Sequence, residues 1–208
     1  MRGRYKKWAA PYLSAHPEIA ISSWDPADPF FAVPPLYLEV GAGKGDFVLT
    51  MAVAHPGHYL ALERDISVCG ILGKKVAESG LTNIKVAALD FDVASENLRP
   101  YAFDAIYLNF SDPWPKKKHW KRRLTVSSRL LVMMSLLKDG GFIIFKSDNE
   151  ILYEFTKEEA LKTPLSLLED QPDYLFDEKS DAMSEYEQNF RAMGAPIHRL
   201  VYQKRKKE

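Results

Sequence analysis

One cysteine, Cys69, is the only thiol in this chain of 208 residues. A single thiol closes no internal disulfide and builds no zinc knuckle, which excludes both a disulfide scaffold and a thiolate metal module. The five histidines, His16, His55, His58, His119 and His198, are scattered rather than set at ligand spacing, so no metal site is expected. No apolar run reaches the roughly 18–20 residues that cross a bilayer. The first fifteen residues are basic and aromatic, without the apolar centre of a signal peptide. A soluble cytoplasmic protein with no membrane partner is the expectation; monomer and homodimer both remain open. Net charge is lacking as well. The 28 Lys/Arg balance 28 Asp/Glu, which excludes a uniformly basic nucleic-acid coat.

The charge that is present is segregated. Basic residues gather at Arg2, Arg4, Lys6 and Lys7, at Lys116, Lys117, Lys118, Lys121, Arg122 and Arg123, and at Arg199, Lys204, Arg205, Lys206 and Lys207. The stretches 24–112 and 146–191 between them are acidic. That pattern suits a polyanion held at one face.

Hydrophobic periodicity organises the rest. Apolar runs at Leu36–Val40, Tyr59–Glu63, Ile84–Leu89, Phe103–Leu108 and Phe142–Lys146 read as strands. Helical patterns separate them: one carrying Phe47, Val48, Met51 and Ala52, one over Ser67–Ser79 stopped by Gly80, a short one over Val93–Leu98, and one over Thr125–Leu137 closed by Asp139-Gly140-Gly141. A further helix near Glu150–Leu161 and late strands near Leu165–Leu168 and Ile197–Gln203 complete the chain. Continuous apolar strands alternating with helices predict an α/β fold, Rossmann-like and doubly wound, with a mostly parallel seven-stranded sheet and helices on both faces. One domain over 1–208 is expected, with a basic, proline-rich extension at 1–34 and a core at 35–208.

Ligands of such sheets bind at the carboxyl ends of the strands, and the chemically distinctive residues fall there. The first strand ends in Glu39-Val40-Gly41-Ala42-Gly43-Lys44-Gly45-Asp46. Asp46 stands where a dinucleotide fingerprint needs its third glycine, and the phosphate-loop pattern is missing too. What remains, an acid followed by alternating glycines, resembles the S-adenosylmethionine loop of class I methyltransferases. A pyrophosphate disfavours acids beside the loop; a sulfonium and an ammonium tolerate them. Glu63 ends the second strand, where an acid can accept ribose hydroxyls, and Asp90 closes the third, where methyltransferases hold the adenine amino group.

After the fourth strand comes Asn109-Phe110-Ser111-Asp112-Pro113-Trp114-Pro115, running directly into the central basic block with His119 and Trp120 inside it. Two prolines stiffen the loop, and cations interleaved with aromatics suit phosphate binding and base stacking. This stretch, with Glu39–Gly45, Phe145-Lys146-Ser147-Asp148-Asn149 and Ser184-Glu185-Tyr186-Glu187, resembles the bacterial tRNA (guanine-N7-)-methyltransferase family over nearly the whole chain. The resemblance implies S-adenosylmethionine as cofactor, tRNA as partner and N7-methylguanosine at position 46 of the variable loop as product. It assigns cofactor contacts to Glu39, Gly41, Gly43, Glu63, Asp90 and Asp112. Asp112 is also the implied catalytic acid. Substrate contacts fall to Lys116, Asp148, Ser184 and Glu187, and RNA contacts to Lys118, His119, Trp120, Lys121, Arg122 and Arg123. Two positions depart from the family pattern: Ser184 stands for a usual threonine, and Trp120 for a usual charged or polar residue. Three other readings stay open on sequence: an exocyclic-amine nucleic-acid methyltransferase, a nicotinamide-dependent oxidoreductase on the same fold, and a non-catalytic tRNA-binding module.

Overall fold

The computed structural model describes residues 5–206, so Arg2, Arg4 and Lys207 of the terminal basic blocks lie outside the described residues. Seven strands form one sheet: β1 (Leu36–Val40), β2 (His58–Leu62), β3 (Ile84–Ala87), β4 (Phe103–Asn109), β5 (Leu137–Ser147), β6 (Ser166–Gln171) and β7 (His198–Gln203). Their spatial order is β3-β2-β1-β4-β5-β7-β6. The first five run parallel, and β7 lies antiparallel between β5 and β6. The carboxyl ends of β1 to β5 therefore share one edge, and the winding reverses between β1 and β4.

The helices are α1 (Ala9–Ala15), α2 (Asp46–Ala54), α3 (Ile66–Ser79), α4 (Phe91–Leu98), α5 (Ser127–Leu136), α6 (Glu150–Ala160) and α7 (Glu185–Ala192). Strand alternation sends side chains to both faces, and each face builds its own core. On one, Leu38, Leu60, Ile106, Leu108, Ile143 and Phe145 pack with α4, α5 and α6. On the other, Tyr59, Ala61, Val86 and Tyr107 pack with Leu13 of α1, with Phe47, Val48, Met51 and Ala52 of α2, and with Leu72 and Val76 of α3. The four apolar residues that define the α2 pattern are all buried. Gly80 ends α3 in a left-handed conformation (φ 71), as a glycine stop should.

Two local expectations are corrected, and two helices appear that hydrophobic periodicity did not mark. The proline-rich extension is not free of regular structure: α1 lies on α3, and Gly70 makes room for it, since a Cβ there would come within 2.4 Å of Ala9 Cβ. Ile19 and Ile21 also bond to both backbone groups of Val86, covering the outer edge of β3. Strand β3 stops at Ala87, short of Leu89, because Asp90 caps α4 and the chain must turn before it. The turn at Asp139-Gly140-Gly141 does not precede β5 but lies within it; the strand starts at Leu137 with an irregular register opposite Phe103–Ala105. Helix α7 is poor in apolar residues, buries only Glu187 of its own residues, and gave no helical signal.

Candidate active site

At the carboxyl end of β1 the chain turns through Gly41, Gly43 and Gly45, all at positive φ (82, 56 and 88). The turn is held by hydrogen bonds on every side. Gly41 and Ala42 donate their N–H groups to Leu62 O, both at 2.9 Å. Gly43 N–H donates to Glu63 Oε2 at 3.0 Å, while Glu63 Oε1 accepts from Asp65 N–H at 2.8 Å. Glu63 thus braces the loop against the end of β2, and burial raises its carboxyl above the ordinary range. A Cβ on Gly41 or Gly43 would meet nothing within 4 Å, whereas one on Gly45 would strike Leu72 at 2.1 Å. The first two glycines therefore leave open space in front of the backbone, and the third serves packing.

That space is a cleft lined by Glu39, the stretch Gly41–Phe47, Val68, Asn109, Phe110 and the residues Ser184 to Tyr186. Glu39 is 4% exposed. Its Oε1 accepts from Asn109 Nδ2 at 3.0 Å, and its Oε2 has no partner. Burial pushes its carboxyl up to about 8, against the opposing pull of the Asn109 hydrogen bond and the Lys146 charge. A buried carboxyl with an unpartnered oxygen, whose ionised form is favoured by a nearby cation, suits a cationic donor. S-adenosylmethionine carries a sulfonium and an α-ammonium, so the residues present fit it: Glu39 and Asn109 supply acceptors, and Gly41 and Gly43 admit close approach. Of the expected cofactor residues, the structure brings Glu39, Gly41 and Gly43 into the cleft lining. Glu63 is committed to the loop backbone. Asp90 is exposed and bonds Asp92 N–H as the cap of α4.

The far side of the cleft begins where β4 ends. Phe110 and Trp114 hold positive φ (52 and 42), a conformation that non-glycine residues adopt at a cost of order 1–3 kcal/mol. Two contacts hold this loop. Phe110 stacks on Phe190 of α7 at 5.9 Å. Arg123 turns inward, 6% exposed, donating from Nε to Pro113 O at 2.8 Å and lying 4.4 Å over the Phe155 ring. Asp112, between these anchors, is exposed and pairs with Arg64 Nη2 at 2.8 Å. Arg64 follows Glu63, so the pair joins the ends of β2 and β4 across β1. Lys116 is exposed beside it, and Asp148 sits half-buried past the end of β5.

The basic segment forms a 3-10 turn, Lys117–Arg122. Lys118, Trp120, Lys121 and Arg122 face solvent, with Lys121 near the Trp120 ring (5.5 Å) and Arg122 over Trp114 (5.0 Å). His119 meets Trp114 edge-on at 5.9 Å. Two expected contacts change character. Arg123 is not offered to RNA but pins the loop from within. Glu187 is not offered to a substrate: it is wholly buried, with Oε2 bonded to Lys146 Nζ at 2.7 Å and Oε1 to Arg191 at 2.8 and 3.0 Å. A carboxylate so placed must be paired, and Lys146, itself fully buried, also bonds Asp181 Oδ2 (2.9 Å) and Ala182 O (2.8 Å). Ser184 caps α7 by accepting from Glu187 N–H. Lys44 of the glycine loop bonds both oxygens of Glu185, at 3.0 and 2.8 Å, joining the two walls.

Sequence reasoning gave no role to Asn109, Arg64 or Lys146. Lys146 carried a signal, since a lysine ending the apolar run Phe142–Phe145 needs buried carboxylates. Asn109 carried a weaker one as the first polar residue after β4. Nothing in the sequence pointed to Arg64.

Residues 34–200 match a family model described as "Putative methyltransferase". The chain is 39% identical over 211 residues to the tRNA (guanine-N(7)-)-methyltransferase of Lactiplantibacillus plantarum, covering 97% of each. It is 38% identical over 217 residues to that of Staphylococcus saprophyticus, covering 96% of this chain and 98% of the relative. Among solved structures it resembles an antibiotic-related methyltransferase, with a TM-score of 0.62 at 15% identity, over 87% of this chain and 92% of that one; this likeness speaks to the fold. Together with an acceptor-lined cleft at the first glycine turn, these matches place the chain in the S-adenosylmethionine-dependent tRNA (guanine-N7-)-methyltransferase family.

Proposed function

We propose that this chain methylates N7 of a guanosine in tRNA, at position 46 of the variable loop, with S-adenosylmethionine as donor. The observation that carries the reading is the juxtaposition at one sheet edge of an acceptor-lined cleft, an exposed carboxylate at Asp112, and a solvent-facing cationic turn that starts five residues further on. When bound, the cofactor supplies a methyl group already activated on a sulfonium. Glu39, Gly41, Gly43 and Asn109 would hold its amino-acid end. Glu63 and Asp90 would face its nucleoside, Glu63 with the lone pairs left free by the loop.

N7 of guanine has an in-plane lone pair and no proton, so the protein need not remove one. Its task is to orient the base and exclude water. Asp112 accepts hydrogen bonds from N1–H and the exocyclic amino group of guanine, an edge that adenine does not offer. Its negative charge also offsets the positive charge that grows on the imidazole ring. To do so it exchanges Arg64 for the base, a small cost because the pair is largely exposed. Phe110 and Phe190 shield the cleft beside it. Lys116, Lys118, Lys121 and Arg122 draw in phosphates, and Trp120 offers a stacking face.

The test is methyl transfer to unmodified tRNA followed by nucleoside analysis and mapping of the modified site. N7-methylguanosine at position 46 is expected. An N2-methylguanosine or N6-methyladenosine product would overturn the reading; N7-methylguanosine elsewhere would correct the position alone.

A further inference from the structure

We propose that the ion cluster of Lys146, Asp181, Glu187 and Arg191 is a positioning device for methyl transfer. It aims the first turn of α7 into the cleft, and it is kept for that aim rather than for stability. The proposal rests on the reading of the cleft given above. It adds positioning residues that act through α7 and touch neither donor nor base.

Ser184, Glu185 and Tyr186 line the cleft. They form the start of α7, with Ser184 as its cap. The helix has little apolar surface to hold it there: of its eight residues only Glu187 is buried. Phe190 stacks on Phe110, which itself sits on the loop after β4. Apolar burial is non-directional and lets a short helix turn or slide. The directed bonds lie beneath it. Glu187, one residue past Tyr186, accepts from Lys146 at Oε2 and from Arg191 at Oε1. Lys146 Nζ has three donors and uses them on Glu187, Asp181 Oδ2 and Ala182 O. Asp181 Oδ1 accepts from Ala182 N–H at 2.8 Å, and Arg191 reaches back to Tyr174 O at 3.0 Å. The end of β5, the segment leading into α7 and the helix itself are thus joined by bonds that each fix a direction.

Stability gives little reason to keep such a cluster. Lys146 and Glu187 are fully buried and Asp181 nearly so. Their desolvation offsets much of their attraction. Removing one partner strands a charge and is costly, whereas replacing the whole set by neutral groups of similar volume is often neutral for folding. Orientation is what neutral groups would not reproduce. In-line methyl transfer depends on it, and a misplacement of about 1 Å caused far from the chemistry can slow a reaction on the order of a hundredfold.

The test is the variant Lys146→Met/Asp181→Asn/Glu187→Gln, which removes the three buried charges and nearly keeps their volumes. Its thermal midpoint should stay close to that of wild type. Its tRNA affinity and the salt dependence of that affinity should not change, because no solvent-facing cation is altered. The single-turnover rate at saturating S-adenosylmethionine and tRNA should fall on the order of a hundredfold. Tyr186→Ala, which removes the aimed side chain itself, should cost less in this background than in wild type, since the two losses share one route. A folded triple variant that transfers methyl at the wild-type rate would overturn the proposal, and so would losses that add in full. Should the triple variant fail to fold, Asp181→Asn alone decides. It takes one bond from Lys146 and leaves the pair with Glu187, so the rate well below its midpoint should drop about tenfold, and a wild-type rate would count against the cluster. Wild-type protein that transfers no methyl group to tRNA is a different result and removes the reading on which the proposal rests.

Discussion

Along the carboxyl edge of the sheet, the half built on β1 and β2 is buried and short of hydrogen-bond donors. The half built on β4, β5 and α7 is exposed at its tips and buried only at its base. In the first, Glu39 sits in the interior with one oxygen unpartnered, and Glu63 spends its oxygens on Gly43 N–H of the glycine turn and on Asp65 N–H. In the second, Asp112, Lys118, Lys121 and Arg122 stand in solvent on a backbone fixed from below by Arg123, Lys146 and Glu187. The difference follows from the ligands each half would meet. A small cation can be enclosed, so its site can be dry and preformed. A tRNA cannot be enclosed, so its site must project side chains outward and keep them in place through buried anchors.

The hardest blow to the second half should come from its base. Lys146→Ala leaves Asp181 and Glu187 buried with a cation removed, a change that costs about 3–5 kcal/mol. Urea unfolding should show a large drop in midpoint at constant slope. A midpoint that stays put would mean that the wall carrying α7 is held by something other than this ion cluster.

The first half should show the opposite behaviour, because its strain is electrostatic and serves a ligand. Burial raises the Glu39 carboxyl from its ordinary 4.5 to about 8. Between those values the folded protein keeps a proton that the unfolded chain has lost, so stability falls as pH rises through that window. Glu39→Gln removes the ionisation while keeping the shape. Without ligand it should be more stable than wild type at pH 8, by as much as a few kcal/mol, and much less distinguished from it at pH 5. The same variant should bind S-adenosylhomocysteine more weakly. Denaturant curves at the two pH values check the first statement; a stability difference independent of pH would place the carboxyl's proton elsewhere.

How legible each half was in the sequence follows from the same contrast. The first half is made of strand ends, and strand ends announce themselves: Leu36–Val40 runs straight into Gly41, and Glu39 and Glu63 are the polar residues that interrupt apolar runs. The register that sets Asn109 beside Glu39 comes from sheet order, with β4 next to β1, and no local pattern carries that. Asp90 was legible as an acid but not as a cap, because the boundary of β3 depends on where α4 begins. In the second half, the composition of residues 109–123 marked the loop at once. Composition could not say that Arg123 points inward and its neighbour Arg122 outward, since a 3-10 turn decides that. Helix α7 was missed because its single buried residue is a glutamate rather than an apolar side chain.

A smaller effect should separate chemistry from architecture at the loop tip. Asp112 and Arg64 are each more than half exposed, so Asp112→Ala should change stability by less than about 1 kcal/mol. Turnover on tRNA should nevertheless fall on the order of a hundredfold, as when one preorganised polar contact to developing charge is removed. Single-turnover methylation beside thermal unfolding tells the two apart. A variant that methylates at the wild-type rate would take Asp112 out of the reaction.

The smallest effect is the sharpest test of the division between projecting and anchoring cations, because it compares neighbours. Lys121 and Arg122 are exposed, while Arg123 is buried against Pro113 O and the Phe155 ring. If the first two neutralise tRNA phosphates, each releases condensed counterion, with a coefficient of roughly 0.7–0.9 per contact in the slope of log affinity against log salt. Replacing both with alanine should lower that slope by up to about 1.4–1.8, leave the unfolding midpoint in place and leave S-adenosylhomocysteine binding unchanged. Arg123→Ala should do the reverse. Arg123 is buried and so is not expected to neutralise a phosphate, and the salt slope should hold; but its loss frees Pro113 and Trp114 from their anchor, so the midpoint and the methylation rate should both fall. Binding isotherms at three or four salt concentrations, read beside thermal unfolding, distinguish the two patterns. A salt slope that drops with Arg123→Ala but not with the double variant would invert the assignment, and the loop would then have to turn over on binding to present Arg123 to the RNA.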